Sequence, residues 1–322
     1  MKRALLIAGP TASGKSAVAL RLAERFGGTI VNADAMQVYA DLKVLTARPS
    51  AAEARRAPHL LFGEVDAAEN FSVGRWLARA SEILAETRDR AGPLIFVGGT
   101  GLYFRALTEG LSDIPHVPED VRAAVRAEAE GQTTPSLHAA LAARDSATAA
   151  RLRPSDRQRV LRALEVVAAT GRPLVEFHGA RQAPALPLDA WAGLFLAPER
   201  APLNARIEAR FDEMLNEGAL DEVAALAARR LDPALPAMRA HGVPHLIAHL
   251  DGRLSLDEAR ALAVRDTRRY AKRQFTWARH QMPDFAWVAP EGAEAMQHLI
   301  LFRWKMARQP FLEERGDGVR QP

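Results

Sequence analysis

Two kinds of hydrophobic pattern alternate over the first third of the chain. Arg3–Ala8 ("RALLIA"), Thr29–Ala33 ("TIVNA") and Pro93–Gly101 ("PLIFVGGTG") are short runs, largely apolar throughout. Runs of this length, bounded by glycine or proline, predict strands buried on both faces. Gly14–Phe26 and Val73–Arg90 instead repeat their apolar residues every three or four positions, and the second stops at Ala91-Gly92-Pro93. They predict amphipathic helices. His59–Val65 ("HLLFGEV") predicts a further short strand. The alternation is that of a parallel sheet covered by helices, with ligands at the C-terminal ends of the strands.

From about Pro118 to His178 the strand pattern stops, and Ala, Arg, Leu and Glu recur at helical spacing. A strand returns at Trp191–Pro198 ("WAGLFLAP"), after the proline-rich link "RQAPALPLDA". Leu203–His280 is again mostly helical, and the end, "RGDGVRQP", reads as disordered. The predicted organisation is an α/β core in two parts, 1–114 and 186–310, an all-helical insertion at 115–185, and a disordered tail at 311–322.

Composition changes this picture little. The chain has 322 residues, of which 48% are hydrophobic, enough for a sizeable core. It has no cysteine, which excludes disulfides, thiolate metal sites and a cysteine nucleophile and fits a reducing, cytoplasmic setting. The apolar part of the N-terminus is too short for a signal peptide, and no run approaches a membrane span. The formal net charge of +4 and the pI of about 9.7 are mildly basic. Placement of the charge says more than its sum.

Chemistry enters between the first strand and the first helix. Gly9-Pro10-Thr11-Ala12-Ser13-Gly14-Lys15-Ser16 fits G-x-x-x-x-G-K-[ST] in the strand-to-helix context that a P-loop requires. Backbone N–H groups and the helix N-terminus line an anion there, Lys15 reaches the terminal phosphates, and Ser16 suits magnesium. This is the signature of nucleotide- and ATP-binding proteins, but it serves several reactions. In P-loop NTPases a strand-end Asp helps hold magnesium. Here the most apolar strand ends in Gly98-Gly99-Thr100, without a carboxylate, and the carboxylate stands instead after the second strand, as Asp34. Asp34 reads as a residue facing the P-loop across the crevice, or as the cap of a following helix. Thr100 reads as a ligand to phosphate, as an orienter of Asp34, or as the cap of helix Gly101–Thr108.

Two basic stretches stand out. In "RLRPSDRQRVLRALEVV" (Arg151–Val167), Ser155 and Gln158 have capping-box spacing. Val160, Leu161, Leu164 and Val167 fall on one face of the predicted helix, and Gln158, Arg159 and Arg162 on the other. The second stretch, Arg265–His280, interleaves Arg268, Arg269, Lys272, Arg273 and Arg279 with Tyr270, Phe275 and Trp277. Basic residues among aromatics mark nucleic-acid binding, although a helix packing its aromatics on a core gives the same pattern. His241 and His245 have metal-like spacing, but Pro244 lies between them, and no zinc site is predicted.

Several segments taken together resemble the tRNA dimethylallyltransferases, also called tRNA isopentenyltransferases. They are "GPTASGKS", "NADAMQVYADL", "TARP" (Thr46–Pro49), "VGGTGLYFRALTEGLS" (Val97–Ser112), "DRQRVLRALEV" and "AKRQFTWAR", which run in the family's order from Leu5 to about Trp287. The chain departs from the family pattern at Arg239-Ala-His-Gly-Val-Pro244, where a V-G-Y-R-like run is usual. It departs also at Arg269, where Gln is common, and at "DLKVLTARP".

The resemblance implies a P-loop kinase-like parallel sheet with an inserted helical domain that grips the anticodon stem-loop of tRNA. The implied reaction moves a dimethylallyl group from dimethylallyl pyrophosphate to N6 of the adenosine just 3′ of the anticodon, in tRNAs reading codons that begin with U. Mg2+ assists, and the enzyme is expected to be a cytoplasmic monomer. Under that resemblance Gly9 to Ser16 hold pyrophosphate as leaving group, with Ser16 on Mg2+. A carboxylate is ionised at neutral pH and can take the proton of the attacking amine, a role that falls to Asp34, with Thr100 beside it. The tRNA contacts fall on Asp34, Ala35, Met36 and Gln37, on Thr100 and Arg122, and on Gln158, Arg159, Val160, Leu161 and Arg162. Gln37 offers its amide to a base edge, and Arg48 supports the tRNA or phosphate side. The rival readings are a small-molecule or nucleoside kinase on the same core, which would consume ATP, and an RNA-binding P-loop protein without catalysis.

Overall fold

The computed structural model describes residues 4–87, 91–179 and 181–292. The tail predicted at 311–322 lies outside them. The chain divides into two compact units, 1–108 with 186–322, and 109–185. The first boundary falls earlier than the hydrophobic pattern places it. Residues 109–114 belong with the helical unit because Ser112 bridges Arg181 and the Leu111 carbonyl accepts the Gln182 N–H.

In chain order the elements are β1 (Ala4–Ala8), α1 (Lys15–Phe26), β2 (Thr29–Asn32), α2 (Ala51–Arg56), β3 (His59–Leu60), α3 (Val73–Glu86), β4 (Leu94–Gly98) and α4 (Gly101–Glu109). The helical unit follows with α5 (Glu119–Glu128), α6 (Thr134–Arg144), α7 (Ser146–Ala149) and α8 (Arg157–Thr170). The core resumes with β5 (Trp191–Leu196), α9 (Arg200–Asn216), α10 (Ala219–Ala228), α11 (Val243–Leu250), α12 (Leu256–Gln281) and β6 (Phe285–Val288). "HLLFGEV" yields only a two-residue strand, because Leu61 and Gly63 turn the chain at positive φ. The edge strand β6 has no counterpart in the sequence reading. Only Phe285 of its four residues is buried, and Trp287 is exposed, as suits a short strand at the sheet edge.

The six strands are all parallel, in the order β3-β2-β4-β1-β5-β6. Every residue of β1, β4 and β5 is buried, as both-face coverage requires. One apolar cluster joins Leu5 and Ile7 to Val18 and Leu22 of α1 and to Ile95 and Leu194. A second joins Tyr39, Leu42 and Leu45 to α9–α12 through Ile207, Phe211, Val223 and Leu246. The helical unit has its own core of Val125, Leu137, Leu141, Val160, Leu164 and Phe177. The helical parts of the first unit carry the loop 33–50, and this is what places that loop over the strand ends.

Candidate active site

The P-loop follows β1 as predicted. Gly14 sits at φ +86 as the cap residue of α1, a left-handed conformation that favours glycine. Ala12 also lies at φ +61. The loop thus curls with the N–H groups of Gly14, Lys15 and Ser16 finding no acceptor among the described residues. Successive free N–H groups at a helix start form an anion cradle. The Ser13 hydroxyl is buried without a partner among the described residues, and Ser16 is exposed.

Lys15 donates to the Pro10 carbonyl at 3.3 Å. Burial of its ammonium pulls the pKa down to about 8, against the pull of Asp34 in the other direction and with help from the Arg210 cation. As a whole residue Lys15 is only half-buried, so it is the charged end that has lost its water. It remains mostly cationic at neutral pH.

Asp34 lies two residues past β2. No helix follows, so it is not a helix cap, but Oδ1 accepts the Met36 N–H at 3.0 Å in a local turn. Its backbone is fixed from behind by buried Asn32. Asn32 Oδ1 accepts the Asp34 N–H at 2.8 Å, and Asn32 Nδ2 donates to the carbonyls of Asp34 at 2.9 Å and Leu61 at 3.0 Å. The Asn32 carbonyl in turn accepts the indole N–H of buried Trp76 at 2.8 Å. Oδ2 of Asp34 takes no part in that turn. It faces Gly99, where an added Cβ would stand 3.2 Å away.

Thr100 does not cap α4 with its side chain. Its Oγ1 accepts the Ala35 N–H at 2.9 Å, so it ties the end of β4 to the segment that carries Asp34. β4 lies between β1 and β2. Cradle, Thr100 and Asp34 therefore occupy three neighbouring strand ends.

A cavity of about 220 Å³ opens beside these ends. Met36, Leu45, Ile207, Phe211 and Met214 give it an apolar wall, while Thr11, Ala12, Asp34, Arg210 and Tyr270 supply polar groups. Arg210 escaped the sequence reading. Its position on α9 follows from Ile207, Phe211 and Met214, which share its helix face, and a lone arginine inside such a stripe was the available signal. Burial lowers its pKa, and Asp34 opposes the change. His241 and Tyr270, also in the wall, lie with ring centroids 4.5 Å apart and planes tilted by 46°. Burial, and then the Arg273 cation, lower the His241 pKa. His245 instead pairs with Asp266 at 3.0 Å.

Other predicted contacts are placed less simply. Gln37 Nε2 donates to the carbonyls of Thr46 at 2.8 Å and Ala47 at 3.0 Å. Both amide hydrogens are thus engaged in shaping the loop, and the amide N–H is not on offer to a base edge. Arg48 donates to the Ala40 carbonyl at 2.9 Å and holds the same loop, away from the lining of the cavity. Ala35 and Met36 do line it.

In the helical unit, Asp156 and not Ser155 caps α8, accepting the Arg159 N–H at 3.2 Å. Val160 is fully buried in that unit's core, so its side chain cannot meet RNA; Leu161 is half-buried against the same core. The helix turns Val166, not Val167, fully inward. Gln158 and Arg159 are exposed. Arg159 pairs with Asp156 at 3.4 Å, Arg162 with buried Glu165 at 3.6 Å, and Arg122 with Glu119 at 2.7 Å. On α12 Arg265, Arg269, Lys272, Arg273 and Arg279 are exposed, while Tyr270, Phe275 and Trp277 are partly buried. Phe275 packs against the core, and Tyr270 lines the cavity.

Magnesium takes oxygen ligands and keeps several waters, and it is held by few protein groups plus substrate phosphates. The exposed Ser16 hydroxyl at the cradle fits such a site. Among the described residues no three His, Asp or Glu side chains cluster as a cage, so most ligands would come from the substrate. No helix among the described residues is long and apolar enough to cross a membrane.

Comparison with known proteins points the same way as the geometry. Residues 37–281 match the family model for IPP transferase, and residues 2–63 match that for isopentenyl transferase. A tRNA dimethylallyltransferase of Methylocella silvestris is 64% identical over 91% of this chain and 97% of its own length. That of Beijerinckia indica is 61% identical over 90% and 96%. The crystal structure of a full-length tRNA isopentenylpyrophosphate transferase from Bacillus halodurans is 31% identical, with a TM-score of 0.67, covering 96% of this chain and all of that one. A eukaryotic dimethylallyltransferase crystallised acting on tRNA shares the fold, with a TM-score of 0.80 at 24% identity.

Proposed function

The chain belongs to the tRNA dimethylallyltransferase family of IPP transferases, and on that premise we propose how its site performs the transfer. The reaction carries a dimethylallyl group from dimethylallyl pyrophosphate to N6 of the adenosine 3′ to the anticodon, in tRNAs reading codons that begin with U. One observation carries the reading: a P-loop without a strand-end carboxylate shares a cavity with Asp34, Arg210 and an apolar wall. A nucleoside kinase has no use for that wall, whereas a five-carbon chain does.

The diphosphate sits on the N–H groups of Gly14, Lys15 and Ser16. The C1–O bond breaks with its electron pair leaving on pyrophosphate. Lys15 and Arg210 stabilise the charge that develops there, and partly desolvated cations do so more strongly than solvated ones. When bound at Ser16, magnesium supplies further positive charge to the phosphates. The adenine amine forms the N6–C1 bond, and its proton passes to Oδ2 of Asp34. Asn32 and the Met36 N–H hold Asp34, and Thr100 holds Ala35, so that Oδ2 keeps its aim. The target base leaves its stack to reach the cavity, at a cost of a few kcal/mol, and Ala35 and Met36 line its entry. The arginines on the surface of the helical unit, exposed Arg159 and half-buried Arg162 above all, trade weak ion pairs for RNA phosphates. With this reading come a cytoplasmic location and a monomeric state.

The test mixes the protein with an anticodon stem-loop RNA and either dimethylallyl pyrophosphate or ATP. A prenyl mass increment on the adenosine, with pyrophosphate released, is expected. Phosphorylation from ATP, or binding without a mass change, overturns the reading.

A further inference from the structure

Cradle and base belong to different strands, and one side chain links them. Gln274, on α12, is buried. Its Oε1 accepts the Thr11 N–H of the P-loop at 3.0 Å. Its Nε2 donates to the Gly99 carbonyl, at the end of β4, at 2.9 Å. A Cβ at Gly99 would stand 2.2 Å from Nε2 and 3.2 Å from Asp34 Oδ2, so glycine there is what lets the amide and the carboxylate approach. Thr100 follows Gly99 and holds Ala35. Tyr270, one turn before Gln274 on α12, places its hydroxyl beside the Thr100 and Gln274 side chains.

A continuous path therefore runs from the Thr11 N–H through Gln274, Gly99 and Thr100 to Ala35, next to Asp34. An amide is suited to it because one arm accepts and the other donates. A carboxylate would set a second acceptor against the Gly99 carbonyl. An apolar side chain would leave two partly buried polar groups unpaired. The path also withdraws the Thr11 N–H from the phosphates.

We propose that Gln274 is a positioning residue that fixes the spacing between the diphosphate cradle and the base Asp34. The inference rests on the reaction proposed above. In a displacement the amine, C1 and the leaving oxygen must stand in line with the reacting atoms about 3–3.5 Å apart, and a misplacement of about 1 Å costs roughly a hundredfold in rate. Spacing set by a single amide is therefore a kinetic quantity.

The experiment uses the full chain, dimethylallyl pyrophosphate and anticodon stem-loop RNA, with wild type, Gln274→Met and Gln274→Glu. Gln274→Met is expected to lose about tenfold to a hundredfold in kcat, with the KM for RNA unchanged. Gln274→Glu tests geometry within one fold: once protonated, its carboxyl accepts from Thr11 and donates to Gly99. Its kcat relative to wild type should therefore rise as pH falls from 8 to 5.5, with Asp34, Lys15, Tyr270 and His241 the titratable groups that face the site. Wild-type kcat in Gln274→Met, a loss confined to KM, or a ratio flat with pH overturns the inference. Amide hydrogen exchange decides it without turnover: in Gln274→Met both Thr11 and Ala35 should exchange faster, and an unaltered Ala35 refutes the coupling. Absence of transfer by wild type would instead count against the proposed reaction, leaving the exchange result to judge Gln274.

Discussion

The charges of the cavity and those of the helical unit are built for opposite conditions. Lys15 and Arg210 have shed enough water that burial lowers both pKa values, and Asp34 is held by hydrogen bonds on several sides. Arg159, by contrast, keeps a 74% exposed side chain and one pair at 3.4 Å with its neighbour Asp156. Exposed pairs of this kind are worth little and are screened by salt. In the proposed reaction the first set acts on one developing charge at fixed geometry, and the second attracts a polyanion whose exact seat matters less. Single substitutions should therefore be severe in the cavity and mild on the helical surface.

Asp34→Ala gives the sharpest test. We expect kcat to fall by about 10²–10⁴-fold, the range for a lost general base, while stem-loop affinity stays near that of wild type; turnover at the wild-type rate would remove Asp34 from the chemistry. Next, Lys15→Ala should lower kcat/KM for dimethylallyl pyrophosphate by about 10²–10³-fold, and unchanged donor kinetics would break the assignment of the cradle. A third test concerns the desolvated ammonium. Its lowered pKa means that the charged form prevails below about pH 8 and is lost above it. Donor kcat/KM should accordingly be level below that pH and fall by about tenfold per unit above it, whereas a profile level to pH 9.5 would mean that Lys15 is not so desolvated.

Smaller effects are expected from the other region. Arg159→Ala with Arg162→Ala should raise the KM for tRNA without lowering kcat, and should flatten the dependence of log affinity on log salt by about 0.7–0.9 for each phosphate no longer neutralised. An unaltered slope would place these arginines away from RNA. Smallest of all, Asp156→Ala should lower stability by about 1 kcal/mol through removal of the helix cap, seen as a lower Tm with kcat intact.

The P-loop, Asp34 and Thr100 were legible because each sits at the end of a continuous apolar run, and strand ends are where parallel sheets put their chemistry. The helical insertion was legible for the converse reason, the disappearance of such runs. Val160 shows the limit of reading by adjacency. It lies between arginines in sequence, yet the 100° step of the helix turns it into the core. Gln37 shows another limit, since an amide reads the same whether it waits for a ligand or, as here, is occupied by two carbonyls of its own loop.

The succession of elements and the local chemistry were thus determined along the chain, by hydrophobic period and by the turn residues at each strand end. Arg210 and Gln274 were not, because their roles depend on Asp34, Thr11 and Gly99, all far away in sequence. Nothing local distinguishes an arginine in an apolar stripe that faces Asp34 from one that faces solvent. Only the packing of α9 and α12 over the strand ends decided which polar side chains lost their water.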